Sequence, residues 1–493
     1  MLKKNILVST IGQIIVIVLG IFLPRIMIVN YGSDTNGLIS TVAQIFTYMA
    51  LLEAGIGQAA RNAMYEPLSC GDRDGVSSVA STATCYYRRV TILYGIGVLL
   101  LALFVPQFLK SEISKTEIFF VILLEGMSGV ISFYFIQTPS TILLADGKAY
   151  VNNEIQYTNK ILSSIVKIVM ASMHYSIVFL QLAYFLITIA KVFVYRSYFK
   201  KHYPWINFHV PSKNAILADR NSYIITEIAW TIFSSTDMIV LSFFLSTKIS
   251  SVYTIYNLVF SNLNVLLTTV YTSISYMLGL SFYKGINKYC AVHDAFNSIF
   301  MSLITALMIV SMFMIFPFIR LYTRDVTDIN YIHPKLPLLF GLVQMLSWSR
   351  YVSGNLTGIA GYAKKVSMVS LIEAVANVAL SVLLVFRFGI EGVLFATVIA
   401  LPLKVIYCNY VADRLVMKRS GKKTVLILGI NYVLFTIAVT LSYYINFEVN
   451  SYTEFFLKGI VTTLVVLAVT LSVNAAINPS AFLIILEDRG KRK

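Results

Sequence analysis

Between positions 153 and 167 the chain carries Asn153, Gln156, Lys160, Ser164 and Lys167, at steps of three or four residues. Such steps place all five side chains on one face of a helix. Two ammonium groups on a shared face draw in an anion and its water. Similar polar series run through Tyr223, Glu227, Trp230, Ser234 and Asp237, and through Ser370, Glu373, Asn377 and Ser381. A longer one joins Tyr253, Asn257, Ser261, Asn264, Thr268, Tyr271 and Ser275. Arg25, directly after Pro24, and Lys191, Arg350 and Lys404 are further cations set in apolar sequence. With Lys160 and Lys167 they form the candidate anion-binding set. Glu53, Glu125, Glu227, Asp237 and Glu373 are the acids that could bind a coupling proton or sodium ion, or instead neutralise a neighbouring base.

These residues sit in an oily chain. Of 493 residues 57% are hydrophobic and only 13% charged, with a mean hydropathy of +0.76. Soluble proteins are about 45–50% apolar and about 25% charged, so a water-soluble fold is excluded. A bilayer crossing needs about 20 mostly apolar residues. Fourteen such segments are predicted: Leu7–Val29, Gly37–Ala60, Val90–Phe108, Ile118–Leu144, Ile155–Ser172, Ile177–Tyr195, Tyr223–Leu245, Val252–Phe282, Ala295–Ile319, Leu336–Ile359, Val366–Phe386, Gly392–Ala412, Val425–Ile445 and Phe455–Ala476. Their runs are continuous rather than alternating, which favours helices over a barrel. The first run follows Lys3 and Lys4, is too long for a signal-peptide core, and has no A-x-A site, so it is expected to remain as a span.

The net charge of +16 fits basic cytoplasmic loops and gives no support for nucleic acid as a partner. With the N-terminus inside, inner segments carry 25 of the 39 Lys and Arg and outer segments 7. Both termini are therefore expected in the cytoplasm. Lys418, Arg419, Lys422 and Lys423 make one inner loop attractive to anionic membrane lipid.

A repeat is visible in the embedded charges. Lys160 and Glu373 are 213 residues apart, as are Lys191 and Lys404, and Pro24 falls on Asp237 at the same offset. Buried charges are costly, about 2.5–3.5 kcal/mol each at a helix centre, so their positions are informative. The repeat predicts an N-lobe over 1–212 (helices one to six) and a C-lobe over 213–422 (helices seven to twelve). Residues 423–493 add a helix pair and a basic tail. Parallel duplicated lobes of this kind are a transporter architecture with its site between the halves. Ser, Asn and Thr also glue helices together, so the polar faces of helices eight and eleven read equally well as packing.

No Walker A, HExxH, GxSxG or Cys-His cluster occurs. Cys70, Cys85, Cys290 and Cys408 show no metal-like or disulfide-framework spacing, and the five histidines fall in expected turns or loops. Asp72-Arg73-Asp74 looks like a metal–sugar-nucleotide motif but sits alone in a short loop. No cofactor is expected, and energy would come from a proton, sodium or substrate gradient. The 31 tyrosines suit sugar recognition as well as membrane interfaces. The longest outer loop, Arg320–Lys335, leaves little room for a glycan polymerase or ligase site, so a non-enzyme is expected.

The stretch LLEAGIGQAAR from Leu51 to Arg61 resembles the acidic-x-Gly signature of bacterial polysaccharide transporters. So does Asn355–Ala400, with a small-residue turn, a helix, an FGIEG turn and a helix; Asp237 in TDMIVLSFF is similar to an aspartate early in their seventh helix. The resemblance covers the whole chain in helix number and spacing. It implies an O-antigen or capsule repeat-unit flippase of the multidrug/oligosaccharidyl-lipid/polysaccharide exporter superfamily, with a MATE-like all-α fold of two six-helix lobes and a C-terminal pair. It further implies alternating access in the bacterial cytoplasmic membrane and an undecaprenyl-pyrophosphate-linked oligosaccharide as substrate. The polymerase and glycosyltransferases of the same pathway would be partners. The helix-five lysines, with Arg25, would then supply the cationic cavity. Multidrug exporters of the superfamily usually have twelve helices, and the lipid II flippase has a first helix richer in charge than Pro24-Arg25. A cation-coupled drug exporter is the alternative within transport.

Overall fold

The apolar runs become helices because a backbone in lipid must satisfy its own hydrogen bonds. A computed structural model describes residues 2–53, 56–208, 210–211, 220–282, 285–445 and 447–479; the side chains of 2–9, of 220–227 and of scattered later positions lie outside that description. Among the described residues there is no strand, and nine helices are long and apolar enough to cross a membrane. The expected lobe boundary at 212/213 falls in 212–219, outside the described residues. The chain divides into two compact units, 1–252 and 253–493.

The first unit opens with α1 (Leu2–Met49), which serves two expected spans. It breaks at Gly32, whose φ of 84° is open to glycine and strained for other residues. A short turn (Ala50–Glu53) leads to α2 (Ile56–Cys70), α3 (Arg73–Phe108) and α4 (Lys115–Ile131). A widened turn, Ser132–Ile136, joins α4 to α5 (Gln137–Ala145). Then follow α6 (Ala149–Ser172), α7 (Ile177–His202), α8 (Arg220–Phe244) and the start of α9 (Thr247–Phe282). Leu38, Val42, Tyr94, Val98, Ile118 and Ile122 form one core of this unit. On the outside of α3, Ile92, Leu103, Phe104 and Phe108 are 56–68% exposed, as lipid-facing side chains should be.

The second unit holds the rest of α9, then α10 (Ile286–Tyr322), α11 (Leu336–Trp348), α12 (Tyr351–Ile359) and α13 (Ala363–Tyr410). After a widened turn, Val411–Val416, come α14 (Lys422–Ser442) and α15 (Tyr452–Ile477). Helix α13 also merges two expected spans, turning at Gly389 with φ 59°. Counting α1 and α13 twice, and α4 with α5 and α11 with α12 once each, the expected spans fall mostly on helix, except that Gly37–Ala60 leaves α1 at Met49, passes through the short turn and 54–55, which lie outside the described residues, and ends in α2. The turn–helix–turn from Gly147 (φ 71°) to His174 (φ 57°) recurs from Gly361 (φ 84°) to Gly389 (φ 59°). The repeat seen in the charges is thus also a repeat of backbone turns.

Helix α1 meets α8 and the start of α9 along a seam of hydroxyl and amide groups. Tyr48 bonds Thr236, Thr41 bonds Ser242, and Asn36 Nδ2 donates to Ser251 Oγ at 2.8 Å. Above them Asp34 accepts from Ser111 Oγ and the Glu112 amide, both at 2.7 Å, and from the Thr247 hydroxyl. Gly37 permits this approach, because a β-carbon there would stand 1.7 Å from the Thr247 carbonyl oxygen. Gly20, by contrast, has open space around it. Gly37→Ala should therefore lower the thermal unfolding temperature in detergent, at a cost of about 1–3 kcal/mol. Gly20→Ala should leave it unchanged or raise it, since alanine is the better helix former by up to about 1 kcal/mol. Equal unfolding temperatures for the two variants would contradict the seam.

Candidate functional site

Helix α6 presents two contrasting exposed faces. Leu162, Ile165 and Val169 are 45–50% exposed along one, an apolar surface suited to lipid. The opposite face carries Asn153, Gln156, Lys160, Ser164 and Lys167, with Lys160 exposed and the others half-buried. A charged residue on the far side from lipid needs water or a partner. The side of α6 between these faces packs on α1, where the Tyr157 ring lies so close to Gly12 that a β-carbon there would be 2.3 Å away.

Lys167 has partners. Its Nζ lies 4.4 Å from the centre of the Tyr184 ring, a cation–π contact. Glu125 of α4 is within electrostatic reach and itself accepts the Gln181 side-chain amide. The pair joins α4, α6 and α7, and its charges largely cancel.

Lys160 and Lys191 are different. Lys191 Nζ donates to the neutral Gln156 Oε1 at 3.4 Å, and Lys160 stands close enough to Lys191 to repel it. Among the described residues neither forms an ion pair with a carboxylate. Gln156 is held in turn by donating to Tyr195 Oη at 3.2 Å. Tyr195 donates to Asn152 Oδ1 at 2.8 Å, which also accepts Ser140 Oγ at 2.6 Å. This chain of bonds locks α6 to α7 and α5, and so fixes where the two ammonium groups sit.

The corresponding place in the second unit is closed. Arg350 Nη1 donates to both Glu373 oxygens, at 2.9 and 3.1 Å, and Lys404 Nζ lies 3.9 Å from Glu373. Arg350 and Glu373 are only 5% and 2% exposed. Asn377 donates to Thr397 Oγ1 at 2.7 Å, so the polar series on α13 is interior packing. On α9, Asn264 accepts the Trp348 indole at 2.8 Å, and Tyr271 packs against Trp348 and Tyr351.

The other expected residues are scattered. Arg25 is half-buried in α1. Glu53 accepts the Gln137 amide at 3.1 Å, just after the widened turn. Asp237 is buried in α8 beside Thr236, within electrostatic reach of Tyr48. The side chain of Glu227 lies outside the described residues, as do those of Tyr223, Trp230 and Ser234. Asp72 caps α3, accepting from the amides of Asp74 and Gly75, which explains the Asp-x-Asp without a metal.

Two histidines expected in turns or loops lie in helices, His202 closing α7 and His293 within α10. His293 is not in a loop but fully buried in α10, with Nε2 3.1 Å from Ser353 Oγ. Its neighbour Asp294 binds Arg419 at 2.7 Å and Lys423 at 3.1 Å, and Arg419 also reaches Asp413 at 2.8 Å. This network ties α10 to the segment before α14. Asp294 and Arg419 are 125 residues apart in sequence, so no local spacing announces it.

No protein-family model matches the chain, and no curated protein matches it. Solved structures do. A structure described as lipid II flippase MurJ in an inward closed conformation aligns over 95% of this chain and 99% of its own, with TM-score 0.69 and 17% identity. An inward-facing multidrug resistance MATE family transporter of the MOP superfamily covers 89% and 100%, with TM-score 0.63 and 14% identity. The MATE multidrug transporter DinF-BH, in a ligand complex, covers 85% and 96%, with TM-score 0.59 and 14% identity. At these identities the likeness establishes the fold: an all-α polytopic membrane architecture common to MurJ and MATE structures. The sparse charge of the first helix does not separate this chain from the MurJ fold.

Glu373→Gln should destabilise the protein by about 3–5 kcal/mol, because Arg350 and Lys404 would keep their charges without a counter-ion. Lys160→Gln should leave the unfolding temperature unchanged. Thermal unfolding of both variants in detergent checks the contrast, and equal effects would contradict it.

Proposed function

We propose that this chain is a transporter that flips undecaprenyl-pyrophosphate-linked oligosaccharide repeat units across the bacterial cytoplasmic membrane. It would serve O-antigen, capsule or exopolysaccharide synthesis and make or break no covalent bond itself. The observation that carries this reading is the Lys160–Lys191 pair. Two ammonium groups within electrostatic reach of each other and without a carboxylate ion pair among the described residues, Lys160 on the polar face of α6 and Lys191 on α7, suit a ligand with two adjacent phosphate charges. A fold shared with a lipid II flippase structure supports a lipid-linked cargo.

In this reading the diphosphate meets Lys160 and Lys191 while the sugars lie along the polar face of α6, among Asn153, Gln156 and Ser164. Arg25 on the adjoining α1 adds positive potential, and Lys167, balanced by Glu125, keeps that end of the face from over-binding the anion. Arg350, paired with Glu373, and Lys404, which shares that carboxylate, are assigned a structural part. Glu53, Glu125 and Asp237 are the acids available to a coupling proton or sodium ion. Alternating access would carry the head group across, with both termini cytoplasmic and the pathway's polymerase and glycosyltransferases as partners.

The double variant Lys160→Glu/Lys191→Glu should weaken binding of a purified lipid-linked oligosaccharide at least about thirtyfold, the equivalent of about 2 kcal/mol. In cells it should abolish surface glycan and accumulate unflipped precursor. A folded double variant with normal surface glycan would overturn the proposal. A second reading, a cation-coupled multidrug exporter, draws on Glu125 and on the fold shared with the MATE multidrug transporter structures. Deleting the gene would then raise drug sensitivity and leave surface polysaccharide unchanged.

A further inference from the structure

A groove of about 550 Å³ runs between α6 and α7. This is within the range of about 300–1,000 Å³ usual for small-ligand sites. Its walls are apolar at Leu162, Ile187 and Val194, and Glu154 and His202 stand at one end. Leu162 and Val194 are 47% and 50% exposed, so the groove opens on the lipid side of the two helices. Lys191 lies in its wall. The same Lys191 ammonium reaches through to Gln156, a member of the polar face on the other side of α6. One side chain therefore touches both surfaces. Gln156 lies seven residues into α6, about 10 Å from the helix start at a rise of about 1.5 Å per residue.

A lipid carried head-first has to keep its chain in oil while its charges are in water. That requires a place where an oil-facing groove opens beside a wet cationic face. We propose that the α6–α7 groove seats the first isoprene units of a polyprenyl diphosphate, with Lys191 at the point where chain gives way to diphosphate. This rests on the function proposed above and deepens it. Charge selects this occupant over an ordinary phospholipid. Lys191 and Lys160 together offer two positive charges to one ligand, and a phosphatidylglycerol brings a single phosphate. Glu154, at the end of the groove, would turn away a second anionic lipid beside the first.

The test uses the full chain in nanodiscs and radiolabelled undecaprenyl diphosphate. A photoreactive benzoylphenylalanine replaces Leu162 or Val194 in the groove, or Leu186, which is 55% exposed but does not line it. Labelling at either groove position should exceed that at Leu186 by about tenfold and should fall about tenfold with Lys191→Glu, equivalent to about 1.4 kcal/mol. Ala190→Trp, which fills the groove, should lower filter-binding of the same probe similarly, in a variant shown folded by thermal unfolding. Excess phosphatidylglycerol should not compete.

Equal labelling at all three positions, or full competition by phosphatidylglycerol, would overturn the assignment and identify the groove as a seat for bulk lipid. Binding that depends on Lys160 but labels neither groove position would defeat the groove and leave the transport proposal intact. No binding of the probe at all would defeat both.

Discussion

A charge in a medium that cannot solvate it has to be balanced or bordered by water, and most of this molecule's polar architecture follows from that constraint. The two units meet it differently at positions related by the same offset. In the second unit Glu373 sits between Arg350 and Lys404. In the first, the place corresponding to Glu373 is Lys160, and the place of Lys404 is Lys191. At the same offset Arg350 falls on Gln137, so the second-unit cluster of two bases around one acid has, at the matching positions of the first unit, two bases and an amide with no acid between them. Around Lys160 and Lys191 the helices are held together without charge, by Gln156, Tyr195 and Asn152.

Much of the fold was legible because lipid allows few solutions. Continuous apolar runs of about 20 residues have to be helices. What the runs could not reveal is that two pairs of spans would be continuous through a turn, at Gly32 and Gly389. A single residue of unusual backbone geometry leaves no break in hydropathy. The amphipathic order of α6 was readable from spacing alone, and its two faces differ in the structure as the spacing requires.

The site was legible in part. Spacing identified Lys160 and Lys167 as neighbours on a face, yet could not show that one is balanced and the other is not. Balance depends on Glu125 and Tyr184, which come from other helices. In the same way, Arg350 and Glu373 lie 23 residues apart on either side of a turn, and only folding makes them a pair. The polar series on α13 reads in sequence like the one on α6 but is buried. Periodicity reports which residues share a face; it does not report what that face meets.

The seam that α1 makes with α8 and the start of α9 is built almost wholly from Ser, Thr, Tyr and Asn, with Leu38 and Val42 packed nearby. A hydroxyl bonded to another hydroxyl exchanges that partner for water at a net cost of only about 0.5–1.5 kcal/mol. Such a junction resembles a row of press-studs more than a weld: each fastening is weak, ordered and renewable. Because each fastening joins fixed positions on neighbouring helices, the row sets their register as much as it holds them together.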